Sequence, residues 1–173
     1  MNIIVRQSFW SSIVIYVGVV LGFVNSIILF PQFLSTEQIG IVRQLISAAT
    51  LLIPITTFGV NASYVKFYPN FVDDKSQKNQ FFIYELTVIL LSYCVVFAFL
   101  NLFYEDIRGL FTEKSRILFN YFDVFLLILF CLSISTLFES FLRARYDTVL
   151  TNIVNGVSNR ILTALTLILF SIS

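Results

Sequence analysis

The sequence predicts an all-α, polytopic membrane bundle of about five spanning helices, and three observations carry that expectation. Hydrophobic residues make up 58% of the chain and charged residues 12%, against about a half and a quarter in soluble domains. The charges are gathered between long uncharged runs, and a hydrocarbon core about 30 Å thick needs roughly 20 apolar residues per helical crossing. Runs such as "FLLILFCL" do not alternate apolar and polar residues as the strands of a membrane barrel would.

The spans are expected at about 8–30, 44–65, 82–104, 117–142 and 148–170, in one transmembrane bundle covering residues 1–173. Gln7 to Thr36 is uncharged for thirty residues, longer than the 7–15-residue apolar region of a signal peptide, and lacks a clear small-residue cleavage site. It reads as a retained helix. "FPQFLSTEQIG" then makes a tight turn. Pro31 disfavours helix in the residue before it, Ser35 or Thr36 supplies an N-cap, and Glu37 sits in the following first turn, where the helix dipole favours an acid. Gln44 to Val65 and Leu86 to Tyr104 are also uncharged. Pro54 should bend the second span or free a carbonyl. In the fourth span Asp123 and Glu139 flank the uncharged run Val124 to Phe138, and in the fifth Arg160 is the one charge, near the middle. The twenty Phe and eight Tyr concentrate toward span ends, where aromatic rings settle at the headgroups.

At 100° per residue, the helix faces are not uniformly apolar. Ser8, Ser11, Ser12, Gly18, Gly22, Asn25 and Ser26 fall within an arc of about 140°. Ser47, Thr50, Pro54, Thr57 and Asn61 fall within about 80°. Asn152, Asn155, Gly156, Asn159 and Thr163 share one side of the fifth span, with Arg160 at its flank. The glycines and serines, including the G-x-x-x-G frame of Gly18 and Gly22, read first as close-packing positions. The asparagines read equally as interhelical bonds or as the lining of a wet cavity.

Arg160 is the sharpest single residue. A mid-span arginine costs roughly 2.5–3.5 kcal/mol on insertion scales and faces a partner or a hydrated space. Pairing with Glu139 or Asp123 purely for assembly is the alternative, although Glu139 already has Arg143 four residues on, a surface pair. Cys94 and Cys131 fall inside spans and read as buried packing residues. The chain has no histidine and no paired in-membrane carboxylates, so a membrane enzyme lacks an acid–base set. No catalytic residue, cofactor or metal is expected, and no nucleic acid as partner.

The stretch "FPQFLSTEQIGIVRQLISAATLLIPITTFGVNASYVKFYPNF" resembles the N-terminal region of the polysaccharide and lipid-linked oligosaccharide flippases of the MOP superfamily, relatives of the MATE drug exporters. The matching positions are Pro31, Leu34, Glu37, Gly40, Gly59 and the basic–aromatic pair Lys66 and Phe67. The family more often has Arg–Phe there, and a lysine lacks the planar fork for bidentate phosphate contact. "FLRARYDTVLTNIVNGVSNRILTALTLIL" similarly looks like the family's junction of fourth and fifth spans.

The resemblance implies two lobes around a central cavity, alternating access, and a lipid-linked glycan as cargo; five spans correspond to an incomplete front lobe. It implies a multi-pass protein of the bacterial cytoplasmic membrane serving cell-surface polysaccharide or lipopolysaccharide synthesis, in contact with the lipid bilayer and other glycan-assembly membrane proteins. Arg160 would attract the pyrophosphate of a polyprenyl-pyrophosphate-linked glycan, and Asn25, Asn61, Asn152, Asn155 and Asn159 would bond sugar hydroxyls or water. Pro31, Glu37 and Gly40, with Pro54, Gly59 and Lys66, would serve backbone direction and contact no substrate. An ion-coupled drug exporter of the same fold is the alternative, for which Asp123 is the nearest buried-acid candidate. A non-transporting assembly subunit is the other.

With the N-terminus in the cytoplasm, the inside segments hold Arg6, Lys66, Lys75, Lys78, Arg143 and Arg145, against Arg43, Arg108, Lys114 and Arg116 outside. Six against four favours that orientation. A cysteine placed at Ser76 should react only with reagent admitted to the cytoplasm, and one at Gly109 with impermeant reagent outside. Reversed labelling would sink the N-in arrangement.

Overall fold

The computed structural model of the chain describes residues 3–71, 75–111, 116–144, 148–161 and 163–164. Among these residues there are helices, turns and no strand. Four helical stretches are long and apolar enough to cross a membrane: Arg6–Phe33, Thr36–Thr57, Ser76–Leu102 and Arg116–Ala144. The expected fifth span is helical over its described residues, and most of 162–170 lies outside them. The chain divides into two compact units, Met1–Gly40 with Arg145–Ser173, and Ile41–Ala144.

The first unit is built on α1 (Ile3–Phe23), which continues into a π-helical segment, Val24–Leu29, and then α2 (Phe30–Phe33). Its partner is α8 (Thr148–Asn152), which likewise runs into a π-helical segment, Ile153–Ser158. The small face of α1 makes this pairing close. A Cβ on Gly18 would lie 2.9 Å from the Gly156 carbonyl oxygen, a backbone atom that cannot swing aside. Two side chains add bonds across the pair, Asn152 Nδ2 to Ser11 Oγ and Asn25 Nδ2 to the Arg160 carbonyl at 2.7 Å.

The first π-helical segment ends where the Phe30 amide donates to the Asn25 carbonyl five residues back. Pro31 follows, and having no N–H it cannot restore the α-helical ladder at once. The helix nonetheless runs on to Phe33, three residues past the expected end, and stops at Leu34, where the backbone becomes extended (φ −125°, ψ 141°). Ser35 and Gln38 then form a reciprocal cap: the Ser35 amide donates to Gln38 Oε1 at 2.8 Å and the Gln38 amide to Ser35 Oγ at 3.3 Å. This box starts α3 (Thr36–Thr57) eight residues before the expected second span. Uncharged runs put that boundary too late, because exposed Glu37 and Arg43 sit on a capped helix whose start the capping bonds decide.

The second unit contains the rest of α3, followed by α4 (Val60–Phe67), a 3₁₀ turn (Tyr68–Phe71), α5 (Lys75–Leu102), α6 (Tyr104–Leu110), a second 3₁₀ segment (Arg116–Tyr121) and α7 (Phe122–Ala144). Pro54 stays inside α3, and the Thr56 and Thr57 hydroxyls donate to the Ile53 carbonyl at 3.1 and 2.8 Å. The expected single span 44–65 is interrupted three residues later. Phe58 (φ 45°) and Gly59 (φ 80°) take the left-handed conformation, easy for glycine and a strained outlier for phenylalanine. The break begins a new helix, because the Ala62 and Ser63 amides both donate to the Gly59 carbonyl.

One core cluster joins Val60, Tyr64 and Tyr68 to Ile89, Leu137 and Ala144, and another joins Ala49, Val96 and Leu129. Buried hydroxyls stitch the same helices together. Thr56 Oγ1 and Ser133 Oγ lie 2.7 Å apart, and Tyr93 donates to the Leu126 carbonyl at 3.0 Å. The predicted polar face of α3 is divided: Thr57 is buried, while Ser47, Thr50 and Pro54 are exposed. Cys94 and Cys131 are exposed on their helices rather than buried in packing. A thiol is apolar enough to face lipid, so span membership alone does not bury it.

The Gly18 contact makes a sharp expectation. Gly18→Val should lower stability by about 1–3 kcal/mol, the usual cost of forcing extra carbon atoms into a packed site. Reversible unfolding in mixed micelles measures it, and an unchanged midpoint would mean that α1 and the Ile153–Ser158 segment do not meet this closely.

Candidate functional site

In the first unit a cavity of about 330 Å³ opens beside the π-helical segment of the first span, lined by Val19, Gly22, Asn25, Ser26, Phe30, Arg160 and Thr163. Arg160 is its one charged group. The Nη1 atom of its guanidinium is buried and has no hydrogen-bond partner. Leaving such a donor unmet costs about 1–3 kcal/mol, more for a charged group. Among the described residues the ion pairs are Arg108 with Glu105 at 3.9 Å and Arg143 with Glu139 at 3.5 Å, and Arg160 belongs to neither. Glu139 is thus engaged on its own helix, and Asp123 is exposed.

Gly22 makes the space for this side chain. A Cβ there would sit 2.8 Å from both Cζ and Nη1 of Arg160. The two glycines of the G-x-x-x-G frame therefore do different work, Gly18 against backbone and Gly22 against a guanidinium. Asn25, only 6% exposed, ties the Arg160 backbone to the first span while sitting in the cavity wall. Its place in a π-helical segment matters, since such segments turn side chains out of the ordinary helical register. A face calculated at a uniform 100° per residue loses accuracy beyond Val24 for that reason.

The other asparagines are dispersed. Asn152 spends its amide on Ser11, a bond within the helix pair. Asn159 is exposed and does not line the cavity, although its carbonyl receives the Thr163 hydroxyl at 2.8 Å. Asn155 is in the second π-helical segment, and its side chain lies outside the described residues. Asn61 belongs to the second unit, where Ser140 donates to its Oδ1.

The remaining motif residues are exposed. Pro31 and Glu37 flank the turn at Leu34 and Ser35, and Gly40 has nothing within 4 Å of where a Cβ would stand. Lys66 holds its ammonium 5.3 Å from the ring centroid of Phe67, a local cation–π contact. Gly59 provides the left-handed residue of the helix break.

One polar residue escaped the sequence reading altogether. Glu85 stands just before the uncharged run Leu86 to Tyr104, a position that places it at the headgroups. The span instead begins at Ser76, which carries Glu85 into the helix and leaves it 2% exposed, with Ser63 donating to its Oε1 at 2.6 Å. The signal that would have found it is the run Phe81–Phe82–Ile83–Tyr84 before it, apolar enough to extend the span backward.

A family model described as polysaccharide biosynthesis protein matches residues 4–172. Comparison with curated proteins and with solved structures finds no match. With nearly the whole sequence matched and four helices suited to crossing a membrane, this chain belongs to the polysaccharide biosynthesis protein family, the MOP-type flippases, and is a membrane transport protein of polysaccharide synthesis.

Proposed function

We propose that this chain helps translocate a polyprenyl-pyrophosphate-linked oligosaccharide across the cytoplasmic membrane by alternating access, with its N-terminus in the cytoplasm, and that Arg160 receives the pyrophosphate. The observation that carries the reading is the buried, unpartnered Nη1 of Arg160 in a cavity whose other walls are neutral. Guanidinium matches phosphate with two parallel hydrogen bonds, and away from bulk water these are strong. Asn25 and Ser26, in the same walls, supply neutral donors and acceptors for a sugar or for water. Val19 and Phe30 give the cavity an apolar side facing the same space.

The π-helical segments suit the reading as well. A helix that already departs from regular bonding beside the site changes its direction at lower cost than a regular one. Neighbouring membrane proteins of glycan assembly would supply the cargo and remove it.

Arg160→Gln removes the charge and should slow transfer of lipid-linked glycan into the lumen of inverted vesicles by about ten- to hundredfold, the equivalent of 1.4–2.8 kcal/mol. Arg160→Lys keeps the charge without the fork and should retain part of the rate. Gly22→Leu, which fills the guanidinium's seat, should behave like Arg160→Gln. Each variant is first shown to insert and accumulate as the parent does. A well-inserted Arg160→Gln protein that moves glycan at the parental rate would leave the arginine a structural role alone.

A further inference from the structure

Glu85 is a buried carboxyl that neither the cavity nor the turn residues explain. It lies inside the span Ser76–Leu102, nine residues from its start, or about 13 Å along a helix at 1.5 Å per residue. It lines neither described cavity. Its one hydrogen-bond partner, the Ser63 hydroxyl, donates to Oε1 at 2.6 Å. Ser63 is also the fourth residue of α4, and its backbone amide donates to the Gly59 carbonyl at 3.1 Å. A two-bond chain thus runs from the carboxyl through Ser63 to the break between α3 and α4. That break holds Phe58 in a left-handed conformation (φ 45°) with its ring 77% exposed. Strain of this kind, of order 1–3 kcal/mol, persists only while its surroundings hold it.

The charged and titratable groups on the elements packed here do not offer Glu85 a counter-ion. On α4, Lys66 is exposed over the ring of Phe67. Tyr64 and Tyr68 stack on each other with ring centroids 5.4 Å apart. On α7, Glu139 and Arg143 pair with each other. On α5 itself, Tyr84 is exposed, Lys78 half-buried, and neither forms an ion pair with Glu85.

We infer that Glu85 is a proton-binding site whose occupancy sets the conformation of the helix break at Phe58–Gly59. In the closed form, Oε2 carries the proton and Oε1 accepts from Ser63. Release passes the proton to a water molecule, leaving a carboxylate and a hydronium ion, and uptake is the reverse. An ionised carboxylate offers about four acceptor sites, of which Ser63 fills one. The rest call for water or further donors, and the break beside Ser63 is the nearest place where backbone amides can be freed. Deprotonation therefore opens the break, and protonation closes it. This goes beyond the translocation reading and does not depend on Arg160 or on any cargo.

The test is hydrogen exchange of the whole chain in lipid nanodiscs over a range of pH, with each amide corrected for its intrinsic pH dependence. In the parent, exchange at residues 58–63 should rise several-fold toward alkaline pH while α7 stays protected. Glu85→Gln, a mimic of the protonated acid, should hold exchange at the low value throughout. Ser63→Ala, which cuts the chain of bonds and leaves the carboxyl, should abolish the pH dependence at 58–63 and covers the case that Glu85→Gln fails to insert. Arg160→Gln should keep the parental profile, so failure here is separable from failure of the substrate assignment. A parental profile in Glu85→Gln or in Ser63→Ala would overturn the inference. So would an equal rise across α7, which is global opening, or a response to sodium at fixed pH in place of a response to protons.

Discussion

Inside a hydrocarbon layer no water completes the bonding of a polar group, and that constraint organises both units. A side chain with a donor or acceptor must find its partner in the protein, and each such bond fixes one helix against another or against its own backbone. The partners found here are small and local: Asn25 with the Arg160 carbonyl, Asn152 with Ser11, Thr56 with Ser133, Ser140 with Asn61, and Ser63 with Glu85. Apolar packing alone would not hold these pairs in register, because lipid chains compete for apolar surface as well as another helix does. The Nη1 atom of Arg160 stands out against that background as a buried donor without a partner.

Glycine spacing connects packing to the site. Gly18 lets backbone approach backbone, and one turn later Gly22 leaves room for the guanidinium. The close approach brings Arg160 to the first span at all, and the missing Cβ of Gly22 gives its head a place to lie. A stripe that reads as a single packing motif is thus part scaffold and part cavity wall. The π-helical segment starting at Val24 then turns Asn25 into the same wall.

The second unit carries its irregularity differently. Its helix is interrupted outright, with two consecutive left-handed residues, and restarts on bonds to the Gly59 carbonyl. A discontinuous membrane helix exposes backbone groups that a regular one consumes. Here those groups are one residue's hydrogen bonds away from a buried carboxyl. Stiff neighbours surround them, since Tyr64, Tyr68, Phe81 and Phe141 form a continuous aromatic cluster. Movement in this region is therefore confined to the break.

The amino-acid sequence by itself determined the helical membrane class, four of the spans, the turn near Pro31 and the family, because insertion into lipid depends on composition and length. It also singled out Arg160 and Asn25, since a charge or an amide in an apolar run is conspicuous at any register. Tertiary structure alone decided the rest. Helix starts follow capping bonds, so α3 begins at Thr36 and α5 reaches back past Glu85. Exposure follows which face meets a neighbour, so Cys94 and Cys131 lie outside the packing and Asn152 bonds Ser11 instead of lining the cavity. The break at Phe58 was illegible for a physical reason. A left-handed phenylalanine has no local preference for that conformation, and only the packing of α4 against α7 on one side and the Ser63–Glu85 bond on the other holds it there.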